Sequence, residues 1–273
     1  MSTNVTCIDE MPTSSIVADA LKNYFSQEDI DLRDITDVAK QDPVILANII
    51  FLVNEVFSKR GSPVVNTLSA AINLVGLEPL KNRLLSIKSL EPASKNTASY
   101  ELIRSRIYVC ACLTQFWADY MGQTSAEEMY CASMFTGIND LCHCLYHDDE
   151  IKQSQVNLES VETLRTLYFS SEDVVPLMPD SIQVLYQNGT LSERLKLSIL
   201  VYELVACLEH GYATEQLNTA LLNLCDYVGI GIHRAGYDLA RQLAYLERSA
   251  NYHVCFHSQF LVSTNTQVLD PIA

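Results

Sequence analysis

The chain reads as an all-α protein folded as a two-lobed helical bundle, and three observations carry that reading. Its 273 residues hold only 9 Gly and 8 Pro, and few runs show the strict apolar–polar alternation of a half-buried strand. Apolar residues make up 48% and charged residues 19% of the chain, which suffices for a sizeable core and is too apolar for disorder. Apolar positions recur at three- and four-residue spacing in one segment after another, enough for about a dozen helices.

The first helix is expected over Thr13 to Gln27, capped by Ser14 or Ser15, with Ile16, Ala20, Leu21 and Phe25 facing inward. Asp31 to Lys40 follows, opened by acids that suit a helix N-terminus and carrying Ile35 and Val38 inward. Asp42 then caps a third helix whose first residue is Pro43. Val44, Leu46, Ala47, Ile49, Ile50, Leu52 and Val53 make this helix apolar almost all round, so it belongs at the buried centre of the first lobe. Ser58-Lys59-Arg60-Gly61-Ser62-Pro63 breaks it. A short helix from Thr67 to Val75 ends at Gly76, a helix-stop glycine, and another spans Leu77 to Leu90.

Glu91 to Ser99 carries a Pro, small polar residues and no apolar period, and reads as a linker that would permit modest hinge motion. Long helices are expected over Tyr100 to Met121 and Ser125 to Leu145, the latter favoured by Glu127 and Glu128 in its first turn. Weaker helices near Leu158–Tyr168 and Asp180–Gln187 flank a turn through Pro176 and Pro179. Leu191–Leu208, Thr214–Val228 and His233–Tyr252 complete the chain's helices. The lobes therefore span residues 10–92 and 98–257, and 258–273 reads as a flexible tail.

The formal charge is −15, from 33 acids against 18 bases. That field repels phosphate backbones and anionic lipid, which argues against nucleic-acid and membrane-surface binding. No apolar run approaches the roughly 18 residues that span a bilayer, and residues 1–15 show no secretory pattern. Nine Cys, with no CxxC pair and mostly inside apolar helical patterns, read as reduced packing thiols. A cytoplasmic location is the expectation.

Gln41-Asp42-Pro43, followed by Leu46-Ala47-Asn48-Ile49-Ile50, Leu52-Val53-Asn54 and Ala70-Ala71-Ile72-Asn73-Leu74-Val75-Gly76, resembles the HDOD domain, a family of bacterial signalling modules. The resemblance covers the first lobe well and continues more weakly to about Leu208. It implies that the second lobe is similar to HD-type metal-dependent phosphohydrolases, whose active members hold a divalent ion through a His, a His-Asp pair and a distal Asp. Such ligands activate water against a phosphodiester. Laid onto that pattern, the His-Asp pair falls at Thr136 and Gly137, the upstream His at or near Arg106, further ligand positions at Gln187 and Asn188, and the distal Asp at Glu203. The resemblance thus implies a degenerate site, with no catalytic residue and no cofactor, in which Arg106 pairs with Glu203 in place of the ion.

Other clusters carry other chemistry. His143 and His147 at i, i+4, with Asp148, could share a metal-binding helix face; Cys142 and Cys144 at i, i+2 point apart, and a His suits a helix C-terminus without any metal. Lys59, Arg60 and Gly61, beside Asn54, form the basic turn of the first lobe. They are the candidates for contact with a partner or a small anionic ligand. The reading that results is a non-catalytic regulatory module that binds a signalling protein or small signal, with a groove between its lobes. The competing reading is a metal-dependent phosphodiesterase acting on a nucleotide or cyclic dinucleotide.

Overall fold

The computed structural model describes residues 11–27, 29–58, 65–90, 97–123, 125–146, 193–209 and 215–251. Helices follow in the order α1 (Ser15–Phe25), α2 (Leu32–Lys40), α3 (Pro43–Ser58), α4 (Leu68–Val75), α5 (Leu77–Ser86), α6 (Thr97–Tyr120), α7 (Ala126–Thr136), α8 (Ile138–Tyr146), α9 (Glu193–Glu209), α10 (Glu215–Val228) and α11 (Ile232–Ser249). The described residues are all-α, with one isolated bridge between Thr13 and Ser89. The expected helices near 158–168 and 180–187, residues 91–96 of the linker and the tail lie outside the described residues.

In α1 the inward stripe is Val17, Leu21 and Phe25, at i, i+4 and i+8, with Ala18 beside it. Ile16, expected inside, is 39% exposed; two adjacent apolar residues sit 100° apart on a helix, and the stripe runs through the second. Ser14 makes no capping hydrogen bond. The chain there is held instead by Thr13, whose N–H donates to the Lys88 carbonyl (2.9 Å) and whose carbonyl accepts from the Leu90 N–H (2.8 Å). That pairing ends α5 at Ser86, four residues before the expected stop, because Ile87 turns extended to reach it.

Asp42 caps α3 as expected. Its Oδ1 accepts from the Val44 and Ile45 N–H groups at 2.9 and 3.0 Å. Every residue from Val44 to Ile50 is buried, so α3 is the axis of the first core, ringed by α1, α2, α4 and α5. Gly76, at φ +78°, joins α4 directly to α5 in a conformation that costs a glycine nothing.

The helix α6 is the spine of the molecule. It begins at Thr97, so the last three residues of the expected linker are its first turn. Tyr100, Ile107 and Ala111 lie in the first core together with Tyr130, Cys131 and Phe135 of α7. The opposite face, including Tyr108, Leu113 and a fully buried Trp117, lies in a second core with α9, α10 and α11. Glu127 and Glu128 do more than start α7. Glu127 Oε1 accepts from the Ser69 N–H (2.9 Å) and hydroxyl (2.7 Å) at the start of α4, and Glu128 Oε1 accepts from Asn66 (2.7 Å).

The single helix expected over 125–145 is broken at Gly137 into α7 and α8. A Cβ at Gly137 would sit 2.2 Å from Ile107 Cγ1, so the glycine is what lets this corner press against α6.

A buried ion cluster ties α6 to the corner between α2 and α3. Arg104, fully buried, donates through Nη2 and Nε to Glu101 Oε2 (2.7 and 3.0 Å) and through Nη1 to the Gln41 carbonyl (3.2 Å). Its Nη1 lies 3.8 Å from Asp42 Oδ2, which also accepts from the Thr13 hydroxyl at 2.9 Å. Arg104→Met would leave two acids in a dry site and is expected to lower the unfolding free energy by about 3–5 kcal/mol, read from urea titration. Unchanged midpoints would show that the cluster carries no weight.

Asn54 closes the turn after α3 like a strand partner. Its Nδ2 donates to the Ile50 and Val65 carbonyls (3.0 and 2.7 Å), and its Oδ1 accepts from the Val65 N–H (2.8 Å). Asn54→Ala should cost about 2 kcal/mol, at roughly 1 kcal/mol for each hydrogen bond to Val65. Hydrogen exchange would report it as lost protection at the Val65 N–H, and retained protection would refute the clamp.

Candidate functional site

Two places are built well enough to assess. One is a cleft of about 530 Å³ between the α1–α2 side of the first core and α6, α7 and α11 of the rest. A groove between the two parts of the molecule was expected; the residues that line it were not. Its floor is aromatic. Tyr108 and Tyr130 are buried there, and Tyr24 and Phe116 are half-buried beside them. The Tyr130 hydroxyl donates to the Lys40 carbonyl, which fastens α7 to the end of α2. Burial holds the phenols of Tyr108 and Tyr130 above their ordinary range and pushes the Cys112 thiol up to about 12. At neutral pH the floor is therefore uncharged, and Cys112 is not a thiolate nucleophile. Charge sits at the rim, on Asp37, Asp119 and Lys40, all exposed.

The polar cluster around Asp42 adjoins the cleft through Gln41, which lines it and whose carbonyl accepts from Arg104. Burial raises the Asp42 pKa, and the Arg104 guanidinium, the Ile45 N–H and the Thr13 hydroxyl pull against it. Every one of these groups faces another protein group, so the cluster holds the cleft's shape and offers nothing to a ligand.

The second place is the set of positions that would hold a metal in an HD-type phosphohydrolase. Thr136 and Gly137 do lie together at the end of α7, close to α6. The Thr136 hydroxyl donates to the Ser133 carbonyl (2.7 Å), and Gly137 has neither a side chain nor room for one. The expected Arg106–Glu203 pair is not what the structure holds. Arg106 acts on Tyr202, one residue earlier on α9, whose hydroxyl donates to Asp140 Oδ2 at 2.6 Å. A one-residue step on a helix turns a side chain by 100°, and that turns Glu203 away. Burial alone raises the Glu203 carboxyl. A guanidinium, a bonded hydroxyl and a glycine do not make a metal site. Among the described residues, no three His, Cys, Asp or Glu side chains are placed to share an ion.

Of the remaining sequence candidates, Asn54 has its amide engaged with Val65. Lys59, Arg60, Gly61, His147, Asp148, Gln187 and Asn188 lie outside the described residues, as does the side chain of His143. Sequence reasoning passed over Arg104 in favour of Arg106. The Glu101-x-x-Arg104 spacing, which puts opposite charges side by side on one helix, was the available signal. The tyrosines of the cleft come from four helices and carry no shared pattern in the chain.

No helix among the described residues is long and apolar enough to cross a membrane. The curated proteins include no match to this chain. Among solved structures it is similar to the MmoQ response regulator from Methylococcus capsulatus strain Bath, with 19% identity over 86% of this chain and 98% of that one and a TM-score of 0.61. At that identity the likeness is one of fold. The HDOD domain matches residues 11–168, more than half of the chain and the whole stretch from the Thr13 pairing through α8. With its Gln41-Asp42-Pro43 corner, its apolar α3 and its Gly76 turn inside that match, the chain belongs to the HDOD domain family.

Proposed function

We propose that this HDOD protein is a non-catalytic regulatory module of bacterial signal transduction, which works by binding a protein partner or a small signal. The observation that supports this most is Gly137. Where an HD-type enzyme places the carboxylate of its His-Asp pair, this chain has a backbone packed on Ile107 too closely for a Cβ. The change is built into the packing of α6 against α7 and α8, so restoring a ligand there would mean rebuilding the corner. A fold shared with a protein named a response regulator is in keeping with a regulatory role. Free cysteines, among them Cys110, Cys131 and Cys225 in the core, suit a reducing cytoplasm.

The enzyme reading has one observation in its favour: Glu203 is a half-buried acid with a raised pKa, the condition of a general base. Hydrolysis assays on bis(p-nitrophenyl) phosphate and on a cyclic dinucleotide with Mn²⁺ decide between the two. The expected result is no turnover above the metal blank, alike for the parent chain and Glu203→Gln. Turnover that Glu203→Gln abolishes would establish the enzyme.

The Gly137 contact has its own test. Gly137→Ala should lower stability by about 1–3 kcal/mol through overpacking, and Ile107→Ala should remove most of that penalty in a double-mutant cycle. If Gly137→Ala melts with the parent, the corner has room and the structural argument against a ligand fails.

A further inference from the structure

The cleft behind Tyr245 contains polar groups that the fold leaves unused. Among the described residues, the side chains of Asp37, Asp119, Gln115 and Gln242 make no hydrogen bond and no ion pair, although all four line the cleft. They come from three different helices, α2, α6 and α11, and converge on one opening. Tyr245, at the mouth, is 59% exposed and stands beside buried Tyr108 and Leu246. The buried aromatic residues of the floor are accounted for by packing and by their own hydrogen bonds. The rim is not.

We propose that this cleft receives an extended, arginine-bearing peptide segment of a partner protein. The proposal rests on the binding reading above and names the chemistry of what is bound. Three features select that occupant. Two rim carboxylates face one rim lysine, in a chain of net charge −15, so the local and the global field both attract a cation and repel an anion. The ring faces of Tyr245 and Phe116 suit a guanidinium, which stacks on aromatic surfaces more readily than an ammonium. The amides of Gln115 and Gln242 each donate and accept, the pairing that a peptide backbone needs and a simple cation does not. The mouth is open to solvent along Asp37, Asp119 and Asn251, which are all exposed, so a chain can enter and leave it. Buried Tyr130 and the Asp42 cluster keep the floor rigid, which limits the ordering cost on binding.

The probe is an immobilised decapeptide pool, randomised except for a central residue fixed as arginine, glutamine or glutamate. The full chain is expected to be retained on the arginine pool about tenfold more strongly than on the glutamate pool, the sum of a solvent-exposed ion pair and a cation–π contact. Asp37→Asn with Asp119→Asn should bring the pools to parity, and Tyr245→Ala should weaken retention on the arginine pool alone. Glu78→Gln with Asp226→Asn removes the same charge from α5 and α10, outside the cleft, and should leave the preference intact. Equal retention on the three pools overturns the proposal. So does an equal loss in both double variants, which would show only the overall field. Arginine amide binding as tightly as the pool would mark a small-cation site and overturn the peptide assignment. None of these variants touches Glu203 or Gly137, so a failure here leaves the hydrolysis result to judge the non-catalytic reading by itself.

Discussion

Arg104 and its two acids set the geometry on which the other parts depend. A guanidinium and two carboxylates taken out of water carry a large desolvation penalty, and only close, well-aligned partners offset it. Here the partners come from three places: Glu101 from the same helix, the Gln41 carbonyl and Asp42 from the start of α3, and Thr13 from the segment before α1. The Tyr100 hydroxyl adds a bond to the Pro12 carbonyl (2.6 Å), and the Tyr130 hydroxyl adds one to the Lys40 carbonyl. Four residues around one corner, Pro12, Lys40, Gln41 and Asp42, are thus gripped by α6 and α7. Apolar packing alone would allow α3 to slide along α6, because hydrophobic contact has no direction. The charged cluster allows one register. It also explains the place of the Gln41-Asp42-Pro43 signature: Asp42 caps α3 with one oxygen and meets Thr13 and Arg104 with the other.

Close packing also fills the positions onto which the family resemblance lays the metal ligands of HD-type enzymes. Gly137 brings the α7–α8 corner against Ile107, one residue along α6 from Arg106. Arg106 in turn acts on Tyr202, whose hydroxyl donates to Asp140 Oδ2. Around Tyr202 the chain forms a hydrogen-bonded junction of α6, α8 and α9. The cleft lies on another side of α6, where Tyr108, Gln115 and Phe116 share its lining with residues of α2 and α11.

Much of the fold was legible in the chain because its signals are local. Asp42-Pro43 as a helix start, Gly76 as a stop and the all-round apolar character of α3 depend on residues within one or two turns, and each was read correctly. The errors arose where a distant segment decides a local outcome. Ile16 faces out since Val17 fits the core better; α5 stops at Ser86 because Ile87 to Leu90 pair with Thr13; one long helix became two where Gly137 meets Ile107. Of the site residues, the Tyr202 partner of Arg106 was missed by one residue on α9.

The amino-acid sequence by itself determined the helical class, the central α3, the family and the absence of a His-Asp pair at the expected position, since each follows from residue type and short-range spacing. Only the tertiary structure decided which arginine is buried, which acids answer it, and where the cleft opens. Those outcomes depend on side chains from α2, α6, α7 and α11 meeting in space, and burial, charge pairing and cleft shape are properties of that meeting that no single segment carries.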